Sequence, residues 1–135
     1  MKILVIDGQG GGVGRQLAAQ IKQTFPHVHL MAVGTNTIAT SAMLKGGADS
    51  AATGENAVVV AARKADIIVG PLGIVVADSL GGEITPAMAN AVAQSNAKRI
   101  LLPFKNCDNV IVGVSDYALG NLIQQAIEEL RKIVS

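Results

Sequence analysis

Aromatic residues are nearly absent from this sequence, in which Phe25, Phe104 and Tyr117 are the only three among 135 residues. A chain with so few rings lacks the stacking surfaces on which single-stranded nucleic acids bind. Its 11 basic and 10 acidic residues leave a net charge of +1, and the basic residues form no positive stripe. We therefore expect no nucleic-acid partner.

Cysteine and long apolar runs are also scarce. Cys107 is the single cysteine, which excludes an intrachain disulfide and a zinc site built from several thiolates, and we interpret it as a small buried thiol. The longest apolar run, residues 67–77, contains Pro71 and is shorter than the roughly 20 residues that span a bilayer. The apolar run at the N-terminus is too short for a signal peptide. We expect a cytoplasmic protein with no membrane partner.

Charged side chains are few, at 16% of the residues against about 25% in an average protein. Half of the residues are hydrophobic, which favours burial of apolar surface between copies of the chain. We therefore expect a homo-oligomer, such as a dimer.

Glycine, in contrast, is concentrated directly after the first apolar run. Residues 2–6 predict a buried strand, and apolar residues at helical spacing from Val13 predict a helix that ends at Pro26. A strand that turns through glycines into a helix brings backbone N–H groups and the positive end of the helix dipole to one point, where phosphates bind. The predicted ligand is a small phosphorylated molecule, either a dinucleotide such as NAD(P) or another nucleotide. The predicted contacts are Asp7, Gly8, Gln9, Gly10, Gly11, Gly12, Val13 and Gly14.

The spacing of these glycines refines the prediction. Gly8-x-x-x-Gly12-x-Gly14 is similar to the cofactor loop of short-chain dehydrogenases, and Gly8-x-Gly10-x-x-x-Gly14 is a second variant that fits. The strict G-x-G-x-x-G pattern fails because Val13 stands at its last position, and no Gly-Lys-Ser/Thr follows to form a P-loop. The Tyr-x-x-x-Lys pair of short-chain dehydrogenases is absent. The alternative is that the glycines form only a tight turn.

Two further loops supply candidate ligand contacts. Thr35 and Asn36 follow the second predicted strand, where NAD-specific folds usually place an acidic residue for the ribose, and capping of the next helix is the alternative role. Gly70, Pro71 and Gly73 follow the strand at 66–69, which lies beside the glycine loop if the strand order is 3-2-1-4-5. A turn required by the proline is the alternative there.

Predicted strands and helices alternate along the whole chain. This pattern, with nearly continuous apolar strands, predicts an α/β fold: a single Rossmann-like domain over residues 1–135 with a three-layer, doubly wound parallel sheet. Ser115 or Asp116 is the predicted cap of the last helix. Beyond the first strand, strands are predicted at 28–33, 48–52, 66–69, 99–102 and 110–114.

Several polar side chains are candidates for a site of another kind. Asp7, Glu83 and the cluster Asn106, Cys107, Asp108 and Asn109 suit an enzyme whose site is completed across a homodimer. Glu55 and Asn56 lie at a predicted helix start, and Asp78 and Thr85 lie in or near residues 70–85, to which the sequence assigns no single structure. His27 and His29, predicted on one face of a strand, suit a metal or cofactor accessory protein with Cys107, although we favour surface histidines.

Three segments together resemble a small bacterial family, found largely in anaerobic Firmicutes and catalogued only as a domain of unknown function. They are residues 5–14, VIDGQGGGVG, residues 32–45, AVGTNTIATSAMLK, and residues 47–58, GADSAATGENAV. The resemblance extends over nearly the whole chain, including residues 70–74 and 82–89. It implies membership of the family and no particular activity.

Overall fold

One parallel sheet forms the centre of the computed structural model, which describes residues 1–104 and 109–134. Its strands are β1 (Lys2–Asp7), β2 (His29–Gly34), β3 (Ser50–Thr53), β4 (Ile67–Pro71) and β5 (Lys98–Leu102). They lie side by side in the order β3-β2-β1-β4-β5, and every neighbouring pair is parallel. The predicted α/β class is confirmed, and the strand order is the one on which the predicted position of residues 70–73 beside the glycine loop depends.

The helices cover both faces of this sheet. They are α1 (Gly12–Thr24), α2 (Thr37–Gly46), α3 (Glu55–Lys64), α4 (Pro86–Gln94) and α5 (Leu119–Arg131), with a short 3-10 turn at Leu72–Val75. One apolar core lies between the sheet and α1, α2 and α5, and a second lies between the sheet and α3 and α4. No helix in the described part of the chain is both long and apolar enough to span a membrane.

The alternation of side chains along β1 explains its continuous apolar sequence. Ile3 and Val5 belong to the core on the α1 face, whereas Leu4 and Ile6 belong to the core on the α4 face. Successive strand residues point to opposite faces, so a central strand between two helical layers needs apolar residues at every position. Asp7 ends the strand opposite Gly34 of β2, which places its carboxylate at the carboxyl edge of the sheet.

The predicted strand at 110–114 is wrong. Residues 109–118 form turns and irregular backbone, and Val110 and Val112 are 88% and 96% exposed. An apolar run becomes a strand only where a sheet edge is within reach, and this segment pairs with no strand in the described residues. The helix cap predicted for Ser115 or Asp116 is also wrong, because α5 starts after Ala118 without a side-chain cap.

Candidate functional site

The glycine loop leaves β1 through a tight left-handed turn. Gln9 and Gly11 have positive φ angles of 51° and 73°, and the N–H of Gly11 donates to the carbonyl of Gly8 at 2.9 Å. A Cβ on Gly11 would lie 2.7 Å from the Cα of Ala39, so close packing of α2 requires glycine there as well. The helix α1 then begins at Gly12. The predicted strand, glycine turn and helix are therefore present.

The carboxylate of Asp7 lies beneath this loop and is 5% exposed. Its Oδ1 accepts the N–H of Gly8 at 2.8 Å, and its Oδ2 accepts the N–H of Gly14 at 2.7 Å. Burial raises the pKa of Asp7, and its hydrogen bonds to Gly14 and Gly8 offset only part of that rise. The carboxylate of Asp7, a group of the chain itself, therefore faces the first turn of α1.

Three other backbone N–H groups of the glycine loop remain available to donate hydrogen bonds to a ligand. Within the described residues, no group accepts a hydrogen bond from the N–H of Gly10, Gly12 or Val13. A Cβ added to Gly10 or Gly12 would meet no atom within 4 Å, so this side of the loop faces open space. These amides and the positive end of α1 form an arrangement that can bind an anion.

A cleft of about 840 Å³ opens beside the loop, at the carboxyl ends of β1 and β4. This is the point where the strand order reverses, and ligands of open α/β sheets bind at such points. The volume lies within the range of sites for small molecules. The lining residues are Asp7, Gln9 and Val13, residues 71–73 and 76–81, Phe104 and Asn109.

Among the lining residues that the structure describes, Asp7 and Asp78 are the only charged ones, and both are acidic. A carboxylate has about four acceptor positions, so Asp7 can accept further hydrogen bonds beyond its two from the backbone. The cleft can therefore bind groups that donate hydrogen bonds, such as hydroxyls and amines, while anions are left to the backbone amides.

Glu83 reaches the end of β2 from a different part of the chain. Its Oε1 accepts the hydroxyl of Thr35 at 2.6 Å, the side-chain amide of Asn36 at 2.8 Å and the N–H of Gln9 at 2.9 Å. The hydrogen bond from Thr35 is the main cause of a lowered pKa of Glu83, and those from Gln9 and Asn36 add to it. An acidic group therefore does lie at the end of β2, but it comes from residue 83 and is already hydrogen-bonded to the chain itself.

The side chains of Thr35 and Asn36 therefore form hydrogen bonds within the chain. The side-chain oxygen of Asn36 accepts the N–H of Ala39 at 2.9 Å and caps α2, which is the alternative role considered for it. Neither Thr35 nor Asn36 lines the cleft. Their contact with a ligand stays a prediction.

Close packing leaves no room for a Cβ at Gly70 and little room at Gly73. A Cβ on Gly70 would lie 2.5 Å from the carbonyl oxygen of Ile6 in β1, and one on Gly73 would lie 2.9 Å from the hydroxyl of Ser79. Pro71 and Gly73 also line the cleft, as their predicted position beside the glycine loop requires.

The remaining candidates are dispersed. His27 lies in a turn rather than in a strand, so the predicted shared strand face is wrong, and His29 contacts the hydroxyl of Ser50 at 3.0 Å. Glu55 accepts the hydroxyl of Thr85 at 2.6 Å, away from the cleft lining. Asn106, Cys107 and Asp108 lie outside the described residues. Within residues 1–104 and 109–134, no three His, Cys, Asp or Glu side chains are grouped as metal ligands.

The family model described as "Domain of unknown function (DUF3842)" matches residues 2–135. The chain belongs to this family. The expected membership of a family catalogued as a domain of unknown function is thereby confirmed. No curated protein shows significant similarity to this DUF3842 chain.

The DUF3842 chain is similar over most of its length to a solved structure of a decarboxylase. It is the crystal structure of a dodecameric FMN-dependent UbiX-like decarboxylase from Escherichia coli O157:H7. The two share 18% sequence identity with a TM-score of 0.47, and the matched region covers 97% of this chain and 76% of the decarboxylase chain.

Proposed function

We propose that this protein is a binding module for a nucleotide, whose phosphate is bound by the N–H groups of Gly10, Gly12 and Val13. The observation that carries the proposal is that these amides lack acceptors within the described residues and lie beside a cleft that Val13 itself lines. The rest of the ligand occupies the cleft. Asp7 and Asp78 accept hydrogen bonds from its hydroxyl or amino groups.

The size of the ligand follows from the position of Glu83. An NAD(P) molecule bound as in dinucleotide folds would place its adenosine ribose near the end of β2. Glu83 occupies the donors of Thr35 and Asn36 there. A mononucleotide therefore fits the cleft without rearrangement, whereas NAD(P) requires the segment that carries Glu83 to move.

The protein's role is proposed to be that of a sensor, subunit or binding module in a homo-oligomer. Val110 and Val112 are large apolar side chains that are 88% and 96% exposed, and burial between copies would remove them from water. Sedimentation equilibrium tests this part of the proposal. A monomer at every concentration up to 0.1 millimolar, roughly the range of weak dimers, would refute it.

Calorimetric titration with AMP, FMN, NAD, NADP and ATP tests the nucleotide proposal. Binding should shift the backbone amide resonances of Gly10, Gly12 and Val13 in a ¹⁵N-labelled sample. Failure of all five nucleotides to bind at about millimolar concentration, where the binding free energy is only about −4 kcal/mol, would overturn the proposal.

A matched pair of variants separates charge from shape at the same position. Gly12→Asp and Gly12→Asn both fill open space at the first position of α1, where aspartate also favours the helix dipole. We expect the aspartate variant to bind the nucleotide at least about tenfold more weakly than the asparagine variant, because it adds a negative charge beside the phosphate. Equal affinities would show that the phosphate binds elsewhere.

A further inference from the structure

The carboxylate of Glu83 occupies a set of donors that resembles a site for an external anion. One oxygen, Oε1, accepts hydrogen bonds from a backbone N–H, a hydroxyl and a side-chain amide, all within 2.9 Å. Converging donors of this kind bind the oxygens of carboxylates and of phosphates. The backbone donor is Gln9, which directly precedes Gly10 of the proposed phosphate site.

The segment that delivers Glu83 is here named the 76–84 loop. Its backbone is unusual, because Asp78 and Leu80 have φ angles of 68° and 55°, a region that residues other than glycine rarely adopt. The side chain of Leu80 lies over Gly8, since a Cβ on that glycine would be 3.1 Å from Leu80 Cδ1. The loop therefore covers the part of the glycine loop that faces β2.

The two ends of the 76–84 loop are fixed, whereas its hydrogen bond to the glycine loop is made by the side chain of Glu83. The N–H of Asp78 donates to the carbonyl of Ile84 at 2.7 Å, and Ile84 is buried in the core. Gly81 and Gly82, both with positive φ, directly precede Glu83 and allow the backbone to change direction there. Movement of the loop tip would release Glu83 without removing Ile84 from the core.

Two negative groups already lie close to the glycine loop. Asp7 is beneath it, and the charge of Glu83 is one of the causes that raise the pKa of Asp7. A phosphate on Gly10 and Gly12 would add a third negative group. Release of Glu83 would relieve this repulsion and would also leave the donors of Gln9, Thr35 and Asn36 for a ligand oxygen.

We propose that Glu83 is an internal anion that competes with the anionic group of the ligand for the donors of Gln9, Thr35 and Asn36, so that ligand binding opens the 76–84 loop. This inference rests on the proposed nucleotide-binding function. It places a second anion-binding position beside the proposed phosphate site. This second position suits a further phosphate or a carboxylate of the same ligand.

Glu83→Gln removes the charge and keeps the shape of the side chain. Glu55→Gln is the matched control, because Glu55 also accepts a threonine hydroxyl at 2.6 Å but lies outside the cleft lining. Hydrogen exchange measured without any ligand should become faster in Glu83→Gln only, at the amide of Gln9, which donates to Glu83, and at that of Gly82, which donates to the carbonyl of Ser79 in the loop tip. Thr35→Val removes one donor from Glu83 and should accelerate the same amides if Glu83→Gln folds poorly.

Titration with NADP, whose adenosine ribose carries a second phosphate, completes the test. We expect Glu83→Gln to bind NADP at least about fivefold more tightly than the wild type and Glu55→Gln to bind it equally well. AMP, which fits the cleft without rearrangement, should bind equally well to all three proteins. NADP should also accelerate exchange at Gly82 in the wild-type protein. No binding of NADP by Glu83→Gln, an unchanged or weaker affinity, or unchanged exchange in both Glu83→Gln and Thr35→Val would overturn this inference alone. Failure of every variant to bind any of the five nucleotides would overturn the proposed function as well.

Discussion

Asp7 at the end of β1 accepts the N–H of Gly14 in the first turn of α1 at 2.7 Å. The same carboxylate accepts the N–H of Gly8 through its other oxygen. Both ends of the glycine loop are thus joined to one buried side chain, which holds the intervening amides of Gly10 and Gly12 in place. The shape of the loop therefore depends on an acidic residue as well as on glycines.

Replacement of Asp7 by asparagine should destabilise the protein by about 1–3 kcal/mol. Asparagine has one oxygen, so its NH₂ group would face the N–H of either Gly8 or Gly14 and leave that donor without an acceptor. Urea unfolding at pH 7 measures the loss. Asp116→Asn is the control, because Asp116 forms similar hydrogen bonds on the surface, and it should change stability less. Equal losses in the two variants would refute the role given to Asp7.

Gly14→Ala should also destabilise the protein, whereas Gly12→Ala should not. A Cβ on Gly14 would lie 2.5 Å from Met43 Sδ and 2.9 Å from the Cβ of Asp7, where α1 packs against α2. Overpacking of this kind costs about 1–3 kcal/mol. A Cβ on Gly12 meets open space, and alanine there gains up to about 1 kcal/mol of helix propensity.

Thermal unfolding compares these two alanine variants directly. The melting temperature of Gly14→Ala should fall below that of the wild type, and that of Gly12→Ala should be equal or higher. The reverse order would mean that α1 and α2 do not pack as the structure shows.

Gly70→Ala should prevent β1 and β4 from pairing closely. Its Cβ would lie 2.5 Å from the carbonyl oxygen of Ile6, which is backbone and cannot rotate away as a side chain can. We expect a loss of about 2 kcal/mol or more in the free energy of unfolding. Denaturant unfolding measures it, with Gly10→Ala as a control that meets no atom within 4 Å. A loss no larger than that of the control would contradict the β1–β4 register.

Asp49 should make stability depend on pH in the acidic range. Hydrogen bonds from the N–H of Leu30 and the ammonium of Lys22 lower its pKa below the ordinary value of 3.8. Because the pKa is lower in the folded state, Asp49 stabilises the fold above pH 3.8, and this contribution is lost as the pH falls through the folded value. Asp49→Asn should cost about 0.5–1 kcal/mol at pH 7, since the side chain is 36% exposed and screened by solvent.

Unfolding measured from pH 7 to pH 2.5 tests this dependence. The difference between the wild type and Asp49→Asn should shrink below pH 3.8, and Lys22→Met should reduce that difference at neutral pH. A difference that stays constant with pH would show that the charge of Asp49 makes no contribution.

The regular elements were mostly predictable because their signals are local. β1 follows from four consecutive apolar residues before Asp7, and the cap of α4 follows from Thr85, whose hydroxyl accepts the N–H of Met88 at 3.2 Å. The segment at 110–114 has the composition of a strand as well. It is irregular in the structure because composition alone does not provide a neighbouring strand with which to pair.

The sequence by itself determined the α/β class, the parallel sheet and the strand–glycine–helix element at the carboxyl edge of the sheet. Apolar periodicity and the handedness of crossover connections are sufficient for these. Only the tertiary structure decided that Glu83 meets Thr35, 48 residues earlier in the chain, and that their contact occupies the β2 side of the glycine loop. A hydrogen bond between such distant residues depends on the path of the 76–84 loop over the sheet. That path is set by the left-handed backbone at Asp78 and Leu80 and by the burial of Ile84, which no local pattern specifies.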